Sequence, residues 1–596
     1  MKVAGRKRFV QSAALAFALG LTACGGGGGS GSSAPGASPP PPPPPPPPAS
    51  TAFETNASTA HFLTQSTFGV VPEDVQQLTG TSPSDWILAE FNKAPSYNLG
   101  YVQTALQDPD ARDGTGQPTF QGRHTPNFAF WYNAIEGDDQ LRQRMAFALS
   151  QILVISNASS NTLFDLPEAV AYYQDILVRN AFGNYRDLLE EVTYSPAMGS
   201  YLTYLQNTKG DAATGRMPDE NYAREIMQLF TIGLNDLNMD GSVITQNGIA
   251  VETYDNEDVT GLAKVFTGLS LEGDAFFFGF NELATDAPYS PMKIFPEWHS
   301  DLEKSFLGTT ISAGTGAEES IDIALDTLVD HPNTPPFLAR QLIQRFVTST
   351  PDPAYIERVA TAFADGTYTL PNGTSVGDGR RGDLSATIAA VLFDEQARDS
   401  ANRAANDFGK IREPILRLSQ WARTFDAGPI TPEETFLIWN TSPPGSLAQG
   451  PYQAPSVFNF YRPGYVAPGT ETGAAGLTMP ELQLVNANTV SGYANFMTYF
   501  IFAFRADNAT PEEFASFQPN YTEELALADN PAALVDHLDL LLTYQTASDE
   551  TKATIVTFLE DISLTNPGDP DYDGPLLRVQ LAILMMMTSP DYSVQR

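Results

Sequence analysis

Pro218-Asp219-Glu220-Asn221-Tyr222-Ala223-Arg224-Glu225-Ile226-Met227-Gln228-Leu229-Phe230-Thr231-Ile232-Gly233 is the stretch on which the fold turns. Tyr222, Ile226, Leu229 and Phe230 recur at three- and four-residue steps, the spacing that puts side chains on one face of an α-helix. Pro218 suits a first helical turn, Asp219 and Glu220 suit its positive end, and Gly233 suits its stop. The opposite side is polar, because Glu220–Arg224, Asn221–Glu225 and Arg224–Gln228 each stand four apart. Two carboxylates beside an arginine serve acid–base chemistry or hold a cation when burial displaces their pKa values. A polar face at this spacing more often ties segments together by ion pairs.

Just downstream, Asp236-Leu237-Asn238-Met239-Asp240-Gly241-Ser242 has oxygen-bearing side chains at alternate positions and glycine at the sixth. That fits the first half of a calcium-binding helix–loop–helix motif, with Asp236, Asn238 and Asp240 as ligands. Its twelfth place is Asn247 rather than Glu, so a plain turn is the competing reading. Two β-prone runs, Gly241–Thr245 and Ile249–Val251, flank Asn247-Gly248, which signals a hairpin.

Helical periodicity recurs along the chain. Residues 138–156 carry Leu141, Met145, Leu149, Ile152 and Ile155, with Arg142 and Arg144 off the stripe. Residues 257–267 carry Val259, Leu262, Ala263 and Phe266, and residues 335–347 carry Leu338, Leu342 and Phe346. The nearly all-apolar stretch 576–588 predicts a buried helix. Residues 365–383 and 441–480, rich in Gly with Asp, Asn or Pro, read as loops. The expected fold is mainly α: one large multi-helix domain with small β-hairpins on long loops.

The chain has 596 residues, 42% of them hydrophobic and 11% aromatic, ample for a large core. Its 33 Lys and Arg face 70 Asp and Glu, a formal charge of −37. That surface repels phosphate backbones and anionic headgroups, which argues against nucleic-acid binding and against a basic membrane patch. It also keeps an exported protein soluble.

Cys24 is the single cysteine, so an intramolecular disulfide and a cysteine metal cluster are excluded. It follows a basic segment (residues 2–8) and an apolar stretch (Phe9 to Leu21) too short to span a membrane. The sequence Leu21-Thr22-Ala23-Cys24 resembles the bacterial lipobox, which implies cleavage before Cys24 and lipidation of it. An ordinary signal peptide with an incidental cysteine is the rival reading. Gly25, rather than Asp, after the cysteine resembles sorting to the outer membrane. Gly25–Ser38 reads as a flexible tether, and the ten prolines Pro39–Pro48 as a stiff spacer of roughly 30 Å. The expected organisation is a signal peptide (1–23), a lipidated stalk (24–51) and a helical domain (52–596).

Several stretches carry a wider resemblance: Phe62–Gly69, Leu141–Ser150, Asn221–Gly233, Asp258–Gly268, Lys304–Gly308 before His331–Thr334, Pro455–Phe458 and Ser589–Tyr592. In order and spacing they resemble the bacterial family called domain of unknown function 1800, over about residues 60–596. The resemblance implies one large helical domain in an exported protein, and no established reaction. It also suggests a partner of the domain of unknown function 1501 family, which is similar to the sulfatase and alkaline phosphatase group. Where the family tends to show His-Asp, this chain has His299-Ser300-Asp301.

No two of the five histidines, His61, His124, His299, His331 and His537, lie within five residues of each other, and no nucleophile elbow or phosphate loop appears. Arg381-Gly382-Asp383 spells an adhesion tripeptide that chance explains in a Gly-rich loop. Two functions follow as expectations. One is an accessory or binding lipoprotein of the cell envelope. The other is a hydrolase of envelope or extracellular polymer, with Glu220, Glu225 and Arg224 as its catalytic candidates.

Overall fold

The computed structural model describes residues 51–158, 162–278, 284, 286–403, 405, 407–429, 438–502, 517–569 and 572–596. The expected signal peptide, Cys24 and the expected stalk up to residue 50 lie outside the described residues. Pro48–Arg596 form one compact unit. Helices dominate it, and the described strands make only two-stranded antiparallel sheets.

Two large apolar cores lie within this unit, beside two small clusters, among the described residues. The larger gathers helices Gln140–Ser150, Pro167–Arg179, Tyr185–Thr193, Ala317–Asp330, Thr334–Phe346, Pro353–Asp365 and Leu384–Phe393. The smaller gathers Phe120–Glu136, Pro414–Thr424, Ala487–Ile501, Pro531–Thr543, Asp549–Glu560 and Gly574–Thr588. The last of these is the helix expected from the apolar run 576–588. The C-terminus closes the chain on itself: Val594–Gln595 pairs antiparallel with Lys410–Ile411.

Local signals hold well where they are strong. Asn247 and Gly248, both at positive φ (54° and 80°), turn the hairpin between Thr245–Gln246 and Ile249–Ala250. Asn and Gly tolerate that region at small steric cost, and it matches the twist of the two strands. The helix at 335–347 runs Thr334–Phe346, with its two prolines in the first turn where their missing N–H groups cost nothing.

Two expectations need correction. The helix at the opening stretch begins at Asn221, not in a turn led by Pro218: Asp219 is held by Asn207 and accepts the Asn221 N–H at 2.8 Å. After five α-helical residues it widens into a π-helix, Ile226–Thr231, closed by Thr231 Oγ1 donating to the Ile226 carbonyl at 2.6 Å. The widening turns Gln228 and Leu229 outward, so Leu229 is half-buried and not core.

Arg142 and Arg144, off the apolar stripe, are buried all the same, because nearly the whole helix Gln140–Ser150 is buried. Arg142 lies 4.6 Å over the Phe182 ring and donates to the Phe91, Lys93 and Val178 carbonyls. Arg144 lies 4.7 Å over Phe346. Burial pulls its pKa down to about 10 against the opposing fields of Glu413 and Tyr461.

Candidate functional site

The polar helix face splits into two environments. Glu220 and Arg224 are partly exposed and pair across one turn at 3.6 Å, and Thr260 donates to Glu220 Oε1 at 2.9 Å. This is the ion-paired face. Glu225 points the other way and is buried, and its Oε2 accepts no hydrogen bond among the described residues. Burial raises its pKa, with Arg224 opposing. The Tyr201 hydroxyl is raised to about 12 by its own burial, with the Glu225 charge adding. The two carboxylates therefore do not share a cleft, and neither lines the two large cavities described below.

Asn238 and Asp240 meet in one tight loop around Ser242, whereas Asp236 is fixed there by backbone hydrogen bonds to Val251 and Ile244. Ser242 donates to Asp240 Oδ1 from N (2.8 Å) and Oγ (2.5 Å), and Asn238 Nδ2 donates to Ser242 Oγ at 3.0 Å. The loop thus uses its own oxygens, and the Arg340 charge lies within electrostatic reach of Asp240, which works against a cation there. Among the described residues no group of three or more His, Cys, Asp or Glu is placed to hold a metal ion.

The histidines are scattered. His299 is buried with Nδ1 2.9 Å from the Thr267 carbonyl, and burial lowers its pKa. His331 Nδ1 accepts from the Asn333 N–H at 3.2 Å, just before a helix starts. His537 Nε2 lies 2.8 Å from Glu524 Oε1. The adhesion-like tripeptide is structural: Arg381 donates to the Val329 and His331 carbonyls, and buried Asp383 caps helix Leu384–Phe393.

A cavity of about 320 Å³ opens where the π-turn meets helix Thr334–Phe346 and the loop around residue 460. Leu229, Ile232 and Gly233 form one wall, and Leu234, Leu237 and Val243 of the hairpin arm form the next. Pro336 and Phe337 lie opposite, with Val457 and Phe458 completing an apolar lining. Its polar groups are Gln151, Gln228, Asn235, Arg340, Gln341, Arg345, Tyr461 and Arg462. Gln341 is 5% exposed, and its Nε2 has no hydrogen-bond partner among the described residues. A buried donor left unmade costs about 1–3 kcal/mol, so such a group marks a place for an acceptor. Volume and lining fit a small-molecule site, which is typically apolar with a few convergent polar groups.

Behind this cleft lies a buried charged cluster. Lys410 Nζ sits 3.3 Å from Glu413 Oε1 and 3.6 Å from Glu481 Oε1, with all three side chains sealed from solvent. Gln151 and Gln449 each donate from Nε2 to Glu413 Oε2 (2.5 and 2.8 Å). Burial would raise the Glu413 pKa, but Lys410 and Arg144 outweigh it and hold it at about 2. Arg345 and Gln151 belong both to this cluster and to the cleft, so the cluster fixes the cleft floor.

A second, wider cavity of about 850 Å³ has an acidic rim: Glu73, Asp74, Glu136, Asp138, Asp426 and Glu523, with Lys93 and Arg423 among them. Burial, then the neighbouring Asp426 charge, raises the Glu136 pKa.

Sequence reading missed Arg340, Gln341 and Arg462. Arg340 and Gln341 were legible only as positions off the Leu338–Leu342–Phe346 stripe. Arg462 ends the aromatic run Phe458-Asn459-Phe460-Tyr461 inside a loop. The cleft draws together the quoted stretches Asn221–Gly233 and Pro455–Phe458, which are more than two hundred residues apart. None of the curated proteins and none of the solved structures compared with the chain matches it. Residues 61–594 match the family model described as Protein of unknown function (DUF1800), and the chain belongs to that family.

Proposed function

We propose that this protein is a lipid-anchored accessory protein of the cell envelope that binds a ligand in the cleft between the π-turn and helix Thr334–Phe346. The unpartnered, buried Gln341 Nε2 on the floor of an apolar cavity is the observation that carries the reading. A scaffold without a ligand would gain by filling this space with apolar side chains. The lipobox-like Leu21–Cys24 supports the anchor, Gly25 supports the outer membrane, and the stalk would hold the binding domain off the surface. A protein of the domain of unknown function 1501 family belongs to the same proposal as a partner.

The test is saturable binding of the neutral apolar dye Nile red to the mature chain, residues 24–596 with Cys24→Ser, made behind a cleavable secretory leader. Leu229→Glu, at a half-exposed wall position, should abolish the bright complex without lowering the melting temperature. Unchanged dye binding in that variant overturns the cleft as the site.

A hydrolase acting on envelope polymer is the second reading. The raised pKa and the free Oε2 of Glu225 favour it, since a general acid needs a displaced pKa. Glu220, tied to Arg224, does not share that environment. Turnover of a polymer that disappears in Glu225→Gln at unchanged melting temperature would move the function to this residue.

A further inference from the structure

We infer that the ligand of the cleft is a single-chain anionic amphiphile, its carboxylate or phosphate head against Arg340 and Arg462 and its apolar body along Leu229, Phe337 and Phe458. This rests on the cleft being a binding site, and it adds the chemical class of what is bound.

Charge is the first support. Acids outnumber bases about two to one in this chain, 70 against 33, yet not every arginine has a carboxylate partner. Arg186 touches three. Arg340 and Arg462 line one cavity, and neither forms an ion pair among the described residues. Asp240, the carboxylate that acts on Arg340, has one oxygen committed to Ser242, and burial already lowers the Arg340 pKa. An incoming anion would supply the missing countercharge. Guanidinium presents a planar fork that matches carboxylate or phosphate oxygens, which an ammonium does not.

The second support is shape and polarity. Arg462 lies 4.7 Å over the Phe458 ring, which sets its charge beside the apolar wall. Apart from Gln151, Gln228, Asn235, Gln341 and Arg345, the rest of the lining is aliphatic, aromatic or glycine. The cavity is near the lower end of the ~300–1,000 Å³ range of ligand sites, which suits one alkyl chain and not the paired chains of a diacyl lipid. Gln341 Nε2 offers a further donor to a head-group oxygen.

The experiment titrates decanoate, decyl phosphate and neutral 1-decanol, each below its micelle limit, into the same mature Cys24→Ser chain by calorimetry. Both anions should bind at least tenfold more tightly than decanol. In the double variant Arg340→Met, Arg462→Met that advantage should vanish while decanol affinity stays within twofold. Arg462 is exposed, so its single variant tests the head group with the fold intact. Decanol binding as tightly as the anions would overturn the anionic class and leave the cleft reading standing. Failure of all three, together with failure of Nile red, would overturn both.

Discussion

Lys410 donates from Nζ to the carbonyl oxygen of Arg345 at 2.9 Å, at the last turn of helix Thr334–Phe346. Arg144 donates to the same oxygen at 2.6 Å. Two buried cations thus meet the negative end of the helix that carries Arg340 and Gln341 into the cleft. The partners of Lys410, Glu413 and Glu481, set two buried carboxylates among the three buried cations Lys410, Arg144 and Arg345.

Lys410→Met should therefore cost about 3–5 kcal/mol, because it leaves Glu413 and Glu481 buried with less countercharge. Urea unfolding of the mature chain measures it. Lys410→Met with Glu413→Gln should recover part of the loss. The pH dependence has a defined sign. The Glu413 pKa is lower folded than unfolded, so its contribution is present above about 4.3 and is lost as pH falls from there through about 2. In Lys410→Met the folded pKa rises, so that loss should be smaller and complete at a higher pH, and an unshifted acid limb would argue against the pairing.

Glu225 behaves in the opposite sense. Its folded pKa is raised, so it adds stability below the unfolded value of about 4.3 and loses it as pH rises through the folded one. Glu225→Gln should be more stable than wild type at pH 7 and show no gain at pH 4. Thermal unfolding at the two pH values reads the difference directly. Nile red binding should not change, since Glu225 lies outside the cleft.

Gly233→Ala tests the end of the π-turn. Gly233 has φ +72°, and a Cβ there would sit 3.0 Å from the Phe337 ring. The left-handed backbone alone costs an alanine about 1–2 kcal/mol. The ring must also move, so dye affinity should fall along with stability. Stability lost at full dye affinity would show that the Phe337 wall does not touch the bound dye.

Cys24→Ser tests the anchor. The wild-type chain should partition into the detergent-rich phase and carry the mass of its acyl chains, whereas the variant should stay in the aqueous phase. Equal partitioning of the two would remove the anchor from the proposed function.

The sequence alone determined what depends on near neighbours. Apolar spacing with prolines in the first turn placed helix Thr334–Phe346, and the apolar run placed Gly574–Thr588. Asn247-Gly248 placed the hairpin, because few residue pairs accept two positive φ angles in a row. Periodicity also made the mainly α class legible. Tertiary structure alone decided where the polar groups of these helices went. Arg144 lies off the apolar stripe of its helix, yet it is buried and its partner carbonyl is 201 residues away, and Gln151 meets Glu413 across 262. Glu220 and Glu225 look alike in the chain, but one stays in water beside Arg224 and the other is buried. The cleft follows the same rule: its arginines, its free amide and its apolar walls come from segments that only the packed cores bring together. Helix and hairpin are local free-energy choices, whereas burial of a charge is set by whichever distant groups repay its lost hydration.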